Sequence, residues 1–122
     1  MTTDPYFDLN SARKTLRWLK SKISEMKELS EKGVDAMEDY DMETAETLTL
    51  KIHGILERIQ KKGIVIRDQD ATLFDFPAVI NNIPSYLCWS IDEDDIEYWH
   101  YADEGFSGRA KLTGHEDILS YL

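Results

Sequence analysis

Leu9, Ala12, Leu16, Leu19, Ile23 and Met26 recur at spacings of 3, 4, 3, 4 and 3, with no glycine or proline inside the run. That period suits a helix that buries one narrow apolar seam. A second seam, Ala45, Leu48, Ile52, Ile55 and Ile59, repeats it at 3, 4, 3 and 4. Asp8 or Asn10 is expected to cap the first helix, and the segment SEKGV with Gly33 reads as its stop and turn. The second helix is expected to begin near Val34, with Asp35, Glu38 and Asp39 in its first turns, where the helix dipole favours acids. Val34 and Met37 fall outside the second seam, so that early part is expected to shift, kink or loop. Lys61, Lys62 and Gly63 close the helix. Two seamed helices with a short connection predict an antiparallel hairpin over about residues 8–62.

After Gly63 the period changes. Ile64, Val65 and Ile66 form a β-branched run, and Asp68, Gln69 and Asp70 read as a turn. Thr72–Phe76 is a second strand ended by Pro77, and Asn81, Asn82 and Pro84 read as loop. Ser85–Ile91 and Ile96–Tyr101 predict a hairpin across the acids Asp92, Glu93, Asp94 and Asp95. If Ile91 faces Ile96, Trp89 pairs with Tyr98 and Leu87 with His100 on one face. Cys88 then pairs with Trp99 and Tyr86 with Tyr101 on the other, and a slip of one residue would exchange these faces. ADEGFSGRAKL reads as a loop, and the tail over 113–122 as a terminal helical turn or a frayed end. The expectation is an α+β fold in a single domain over 1–122: the hairpin, then a small, mainly antiparallel sheet with a Gly-Arg loop over 63–112, then the tail.

Charge separates the two halves. Residues 1–67 hold 12 basic and 12 acidic side chains, whereas residues 68–122 set 12 acids against Arg109 and Lys111 and carry the whole −10. Such a surface repels phosphate backbones, which argues against nucleic-acid partners. The hairpin's open end gathers Arg13, Lys14, Arg17 and Lys20 with Arg58, Lys61 and Lys62. These bases either complement the acidic half or form a site for an anionic ligand. No apolar run approaches the roughly 18 residues of a membrane span, so no membrane role is expected. The first residues lack the apolar stretch of a secretory signal, and Cys88 has no second cysteine to pair with; a cytoplasmic location follows as the expectation.

Several motifs recur in order through the second half: Gly63-Ile64-Val65-Ile66-Arg67-Asp68, Asp75-Phe76-Pro77, Leu87-Cys88-Trp89, Trp99-His100 and Gly105-Phe106-Ser107-Gly108-Arg109. With them the chain resembles the prokaryotic domain of unknown function 2203 over roughly residues 9–112, the helical half matching as generic leucine-rich helix. The resemblance implies a small cytosolic bacterial or archaeal protein and supplies no activity, substrate or catalytic residue. Thr72 stands where the family commonly carries glycine, and the turn at Asp92–Asp95 is more acidic than the family's usual Gly-Glu.

Among chemically capable residues, His100, Asp103 and Glu104 have mixed nitrogen and oxygen ligands for a metal, although no second histidine is near in sequence. The plainer reading makes His100 a strand-end residue hydrogen-bonded to a carboxylate. Gly105 and Gly108 allow close backbone approach, and Arg109 can grip an anion through parallel hydrogen bonds. Alternatively Arg109 is the ion-pair partner of Asp75 or Asp103. A Cys88–His100 nucleophile and base pair is disfavoured, because the expected register puts them on opposite faces. The aromatics Tyr86, Trp99 and Tyr101 are expected on the face left uncovered, where a second subunit would supply the cover. The leading expectation is a non-catalytic module that self-associates as a dimer or binds a protein partner. The alternative is a small-molecule- or metal-binding protein, or an enzyme, using His100 to Arg109, with the cofactor unknown.

Overall fold

The computed structural model describes residues 6–120. Two helices, α1 (Leu9–Glu38) and α2 (Met42–Lys61), form a hairpin. Five strands follow, β1 (Val65–Ile66), β2 (Leu73–Ile80), β3 (Ile83–Ser90), β4 (Tyr98–Tyr101) and β5 (Ala110–Lys111), in one antiparallel sheet whose spatial order is the chain order. This is the expected α+β class. The chain divides into two compact units, one of Arg17–Lys61 and one joining the segment through Leu16 with everything from Lys62 onward. No helix is long and apolar enough to cross a membrane among the described residues.

In the helical unit the seam positions Leu19, Met26, Ala45, Leu48, Ile55 and Ile59 are buried. The turn, however, is not at Gly33. α1 runs through that glycine to Glu38, so Val34, Asp35 and Met37 end α1 rather than begin α2. One interior glycine costs a helix only about 1 kcal/mol relative to alanine, too little to stop a long one. The stop lies at Tyr40, which takes φ 56°. Its N–H donates to Met37 O and the Asp41 N–H to Ala36 O, the paired bonds of a left-handed helix terminus usually built on glycine. Asp41 then caps α2 by accepting the Thr44 N–H at 3.2 Å. Lys61 ends α2, and Gly63, at φ 92°, follows as expected. Tyr40 is 89% exposed, so replacing it removes little packing. Tyr40→Gly should therefore stabilise the protein by about 1 kcal/mol through relief of the left-handed conformation, measured by urea unfolding.

In the other unit, Asp8 and Ser11 exchange bonds at the start of α1: the Ser11 N–H donates to Asp8 Oδ1 at 2.7 Å and the Asp8 N–H to Ser11 Oγ at 3.0 Å. Further along α1, Arg13 donates to Ile96 O at 2.9 Å and pairs with Asp95 at 3.4 Å. β2 continues through Pro77, contrary to the expected stop. The Pro77 carbonyl turns away from β3 and accepts the Phe7 N–H at 2.7 Å, so the missing proline N–H faces that same outer side and removes no β2–β3 rung. Asn81 and Asn82, both with φ near 60° (56° and 62°), are not an open loop but the tight turn between β2 and β3.

One apolar face results, with Phe74, Phe76, Ala78 and Ile80 of β2 beside Leu87 and Trp89 of β3, all buried. Phe7 meets Phe76 edge to face at 5.2 Å. The tail is neither helical nor free within the described residues. Ile118 bridges Ile80, and the Leu119 N–H donates to Val79 O at 2.9 Å. Glu116 folds the approach to this bridge, accepting the N–H groups of Thr113 and Gly114. Partial burial opposes its charge, but these bonds and the Thr113 hydroxyl win and bring its pKa from 4.5 down to about 2. A depressed carboxylate stabilises above its unfolded pKa and loses that contribution as pH falls through the folded value. The 113–116 turn should therefore hold above pH 4.5 and open toward pH 2, read as lower hydrogen-exchange protection factors at Thr113 and Gly114.

β3 and β4 pair one residue away from the expected register: Tyr86 faces His100, Leu87 faces Trp99 and Cys88 faces Tyr98. The cause lies in the acidic connection. The Ile91 N–H bonds Thr72 O, which holds the end of β3 to β2, while Glu93 O accepts the Trp89 indole N–H at 2.9 Å and Glu93 Oε1 the Ser90 N–H at 2.8 Å. Glu93 thus folds the acids back over β3, and β4 begins only at Tyr98. The slip exchanges faces. Trp99 and Tyr101 join the apolar face with Leu87 and Trp89. Tyr86, Cys88, Tyr98 and His100 share the opposite face with Asp75 of β2. The three aromatics expected on one uncovered face are therefore divided, and the second face is polar at its centre.

Candidate metal centre

Asp75 is the one ionisable residue in β2, a strand otherwise composed of Leu, Phe, Pro, Ala, Val and Ile, and it is 2% exposed. A carboxylate buried in such a strand needs partners. The register supplies them, since Cys88 lies directly opposite on β3 and His100 one strand further, on the same face. Cys88 is 2% and His100 3% exposed. One ligand atom from each of the three lies within 4.8 Å of the other two. Cys88 and His100 thus share a face, which corrects the expectation that the sheet would separate them.

His100 is fixed at both ring nitrogens. Nδ1 is 2.8 Å from Tyr101 O, and Nε2 is 3.0 Å from Asp75 Oδ2. A carbonyl only accepts, so Nδ1 carries the proton and Nε2 is turned toward Asp75 and Cys88. Asp75 Oδ2 also accepts the Arg67 Nε–H at 2.7 Å, and the Arg67 guanidinium lies 4.7 Å from the Tyr86 ring centre. Burial pulls the Arg67 pKa down, but the Asp75 hydrogen bond and charge, with Tyr86, more than reverse this.

Cys88 is held as a thiol. Burial first, then the Asp75 charge, push its pKa up to about 12, while Arg109 pulls the other way from 4.0 Å. A thiol so protonated is not an activated nucleophile at neutral pH. A metal dication reverses that balance by stabilising the thiolate directly.

Of the other expected site residues, Glu104 and Gly105 line the cavity over this cluster and Arg109 reaches Cys88 Sγ at 4.0 Å, but none adds a ligand atom to it among the described residues. Asp103 and Glu104 are exposed, and Glu104 Oε1 accepts the Tyr101 N–H at 3.1 Å, so the metal set expected from His100, Asp103 and Glu104 is not brought together. Gly105 precedes a single 3₁₀ turn, Phe106–Gly108, and Gly108 ends it. A Cβ at Gly108 would lie 3.1 Å from the Glu104 Cβ, a close approach that accounts for the glycine. Arg109 pairs with neither Asp75 nor Asp103. Its Nη1 is 2.9 Å from Glu93 Oε2, and its guanidinium lies between the rings of Tyr98 at 4.0 Å and Phe106 at 4.1 Å. His53 and His115 are exposed and outside the cluster. Sequence reasoning named His100 but missed Asp75, Cys88 and Arg67 as its companions. The signal was present in Asp75 itself, a lone charge inside an apolar strand.

A cavity of about 290 Å³ opens over the cluster, lined by Asp75, Cys88 and His100 and by Arg67, Leu73 and Phe106 among others. A family model described as "Uncharacterized conserved protein (DUF2203)" matches residues 5–112. No curated protein and no solved structure matches the chain.

Proposed function

The chain belongs to the family of uncharacterized conserved proteins DUF2203, and from that premise we propose that it binds a transition-metal dication, zinc being the best fit, through Asp75, Cys88 and His100. The observation that carries this reading is the convergence of three buried ligand atoms of three different types within 4.8 Å. A tetrahedral zinc ion keeps sulfur, nitrogen and oxygen ligands about 3.3–3.8 Å apart, so side-chain adjustment alone closes the set. Thiolate with imidazole and carboxylate suits zinc better than magnesium or calcium, which prefer oxygen. The Tyr101 carbonyl on Nδ1 is the outer contact that orients a ligating histidine. Three protein ligands leave a fourth position facing the cavity, the pattern of sites that act on small molecules rather than purely structural ones.

Cobalt titration of the metal-free protein tests this. The expected result is one equivalent bound, with the visible bands of a tetrahedral thiolate site, displaced by zinc and absent in a folded His100→Ala. A wild type that gives no such bands and retains no zinc after dialysis reduces the cluster to a buried ion-pair network.

Self-association is a second reading, now supported by the helical unit instead of the sheet aromatics. Val34, Met37, Met42 and Leu50 are 55%, 57%, 58% and 64% exposed near the hairpin turn. A monomer at every concentration in sedimentation equilibrium removes that reading. A cytoplasmic location belongs to the same proposal, because a lone thiol ligand suits a reducing compartment, and the acidic second half argues against a nucleic-acid partner.

A further inference from the structure

We infer that the metal centre's ligand is a small organic oxyanion, a carboxylate or a phosphate ester, whose head takes the open metal position and the Arg67 fork together. The inference rests on the metal reading above.

Charge comes first. A dication with the Cys88 thiolate and the Asp75 carboxylate is neutral, and Arg67 adds one positive charge beside it. The three ligands belong to residues 68–122, which carry the whole −10, and Arg67 directly precedes them, so a positive spot here would draw an anion that the acids elsewhere in that half do not. Glu104 also lines the cavity, but its Oε1 is engaged with the Tyr101 N–H and its Cβ and carboxyl carbon pack on Gly108.

Donor geometry comes second. Arg67 commits Nε to Asp75, and its guanidinium lies 4.7 Å from the Tyr86 ring centre. A guanidinium has five N–H donors, so others remain for a ligand, and the side chain is 42% exposed where it lines the cavity. Asp75 fixes the plane of the fork next to the metal position. One oxygen of an oxyanion can then bind the metal while another accepts from Arg67. Arg109 does not serve here, since Glu93 and two aromatic rings occupy it.

Size and wall chemistry set the rest of the ligand. A cavity of about 290 Å³ is at the small end of ligand sites, which suits a small molecule. Leu73, Ala102 and Phe106 give it an apolar side, which suits a short hydrocarbon body behind the anionic head.

The test uses the whole protein loaded with cobalt, titrated with sodium butyrate and with methyl phosphate against sodium chloride of equal ionic strength. A saturable change in the visible cobalt bands is expected with at least one oxyanion and not with chloride. The stronger response identifies the head group as carboxylate or phosphate. In Arg67→Met the response should weaken about ten- to hundredfold, the loss of a charge-assisted hydrogen bond, while the variant still loads cobalt. Should Arg67→Met fail to load, Arg67→Lys keeps the charge beside Asp75 and lacks the fork, and the same weakening is expected of it. Cobalt bands in wild type that neither oxyanion moves, or that move equally in the Arg67 variant, overturn this inference and leave the metal reading standing. No cobalt bands at all overturn both.

Discussion

Asp75→Ala should destabilise the metal-free protein by about 3–5 kcal/mol, the range for removing one partner of a buried charged pair. The reason is how many groups depend on one carboxylate. Arg67 Nε and His100 Nε2 both meet Asp75 Oδ2, at 2.7 and 3.0 Å, and the Cys88 sulfur lies within 4.8 Å of the same carboxylate. Without it, Arg67 can turn to water, because its side chain is 42% exposed. His100 cannot, since its side chain is 2% exposed and its ring is held by the Tyr101 carbonyl. A buried imidazole nitrogen is then left without the acceptor it faces, beside the space the carboxylate filled. Asp75→Asn keeps the volume and one acceptor oxygen and should cost less, about 1–3 kcal/mol. Thermal unfolding in chelator reads both, with a drop of about 10–20 °C expected for the alanine variant. An alanine variant within 1 kcal/mol of wild type would mean that Asp75 contributes nothing net to the apo fold.

That network explains how far the sequence could be read. The two seams and the Lys61-Lys62-Gly63 stop were legible because they depend on local spacing, and so was the change from helix to strand after Gly63. The turn between the helices was not. It depends on Tyr40 accepting a conformation that glycine usually fills, while the actual glycine, Gly33, sits inside α1 with open space around its missing Cβ. The site was legible only in part for a similar reason. His100 could be named from its type, but its companions depend on register, and register depends on Glu93 reaching back to Trp89 and Ser90. A one-residue slip moves every side chain of a strand to the other face. The expected pairing placed Cys88 opposite Trp99 and away from His100. The observed pairing places both beside Asp75. Pro77 hid the rest, since a proline usually ends a central strand, and only its outward-facing carbonyl shows why β2 continues.

Cys88→Ser should lower metal affinity by more than about a hundredfold, beyond what loss of an outer-shell contact costs. Serine occupies nearly the same volume and its hydroxyl faces the same polar cluster, so the apo protein should stay folded and melt close to wild type. The change falls on the metal-bound state. A serine hydroxyl is a poor ligand for a borderline-soft ion, whereas the thiolate is a strong one, and Arg109 at 4.0 Å from Sγ offsets its charge. Zinc at 100 times its Kd should add about 2.7 kcal/mol to wild type, a rise of several degrees in melting temperature. In Cys88→Ser at the same zinc concentration the rise should vanish. The pairing with Asp75→Ala separates the two roles of the cluster. Asp75 is expected to matter with or without metal, because it satisfies buried donors in the apo fold. Cys88 is expected to matter only when metal is present, because its thiol, with a pKa near 12, has no task there that serine cannot do. A Cys88→Ser protein that keeps the full zinc-induced rise would show that the sulfur is not a ligand. The remaining pair, Asp75 and His100, would then be two ligands short of a closed tetrahedral site.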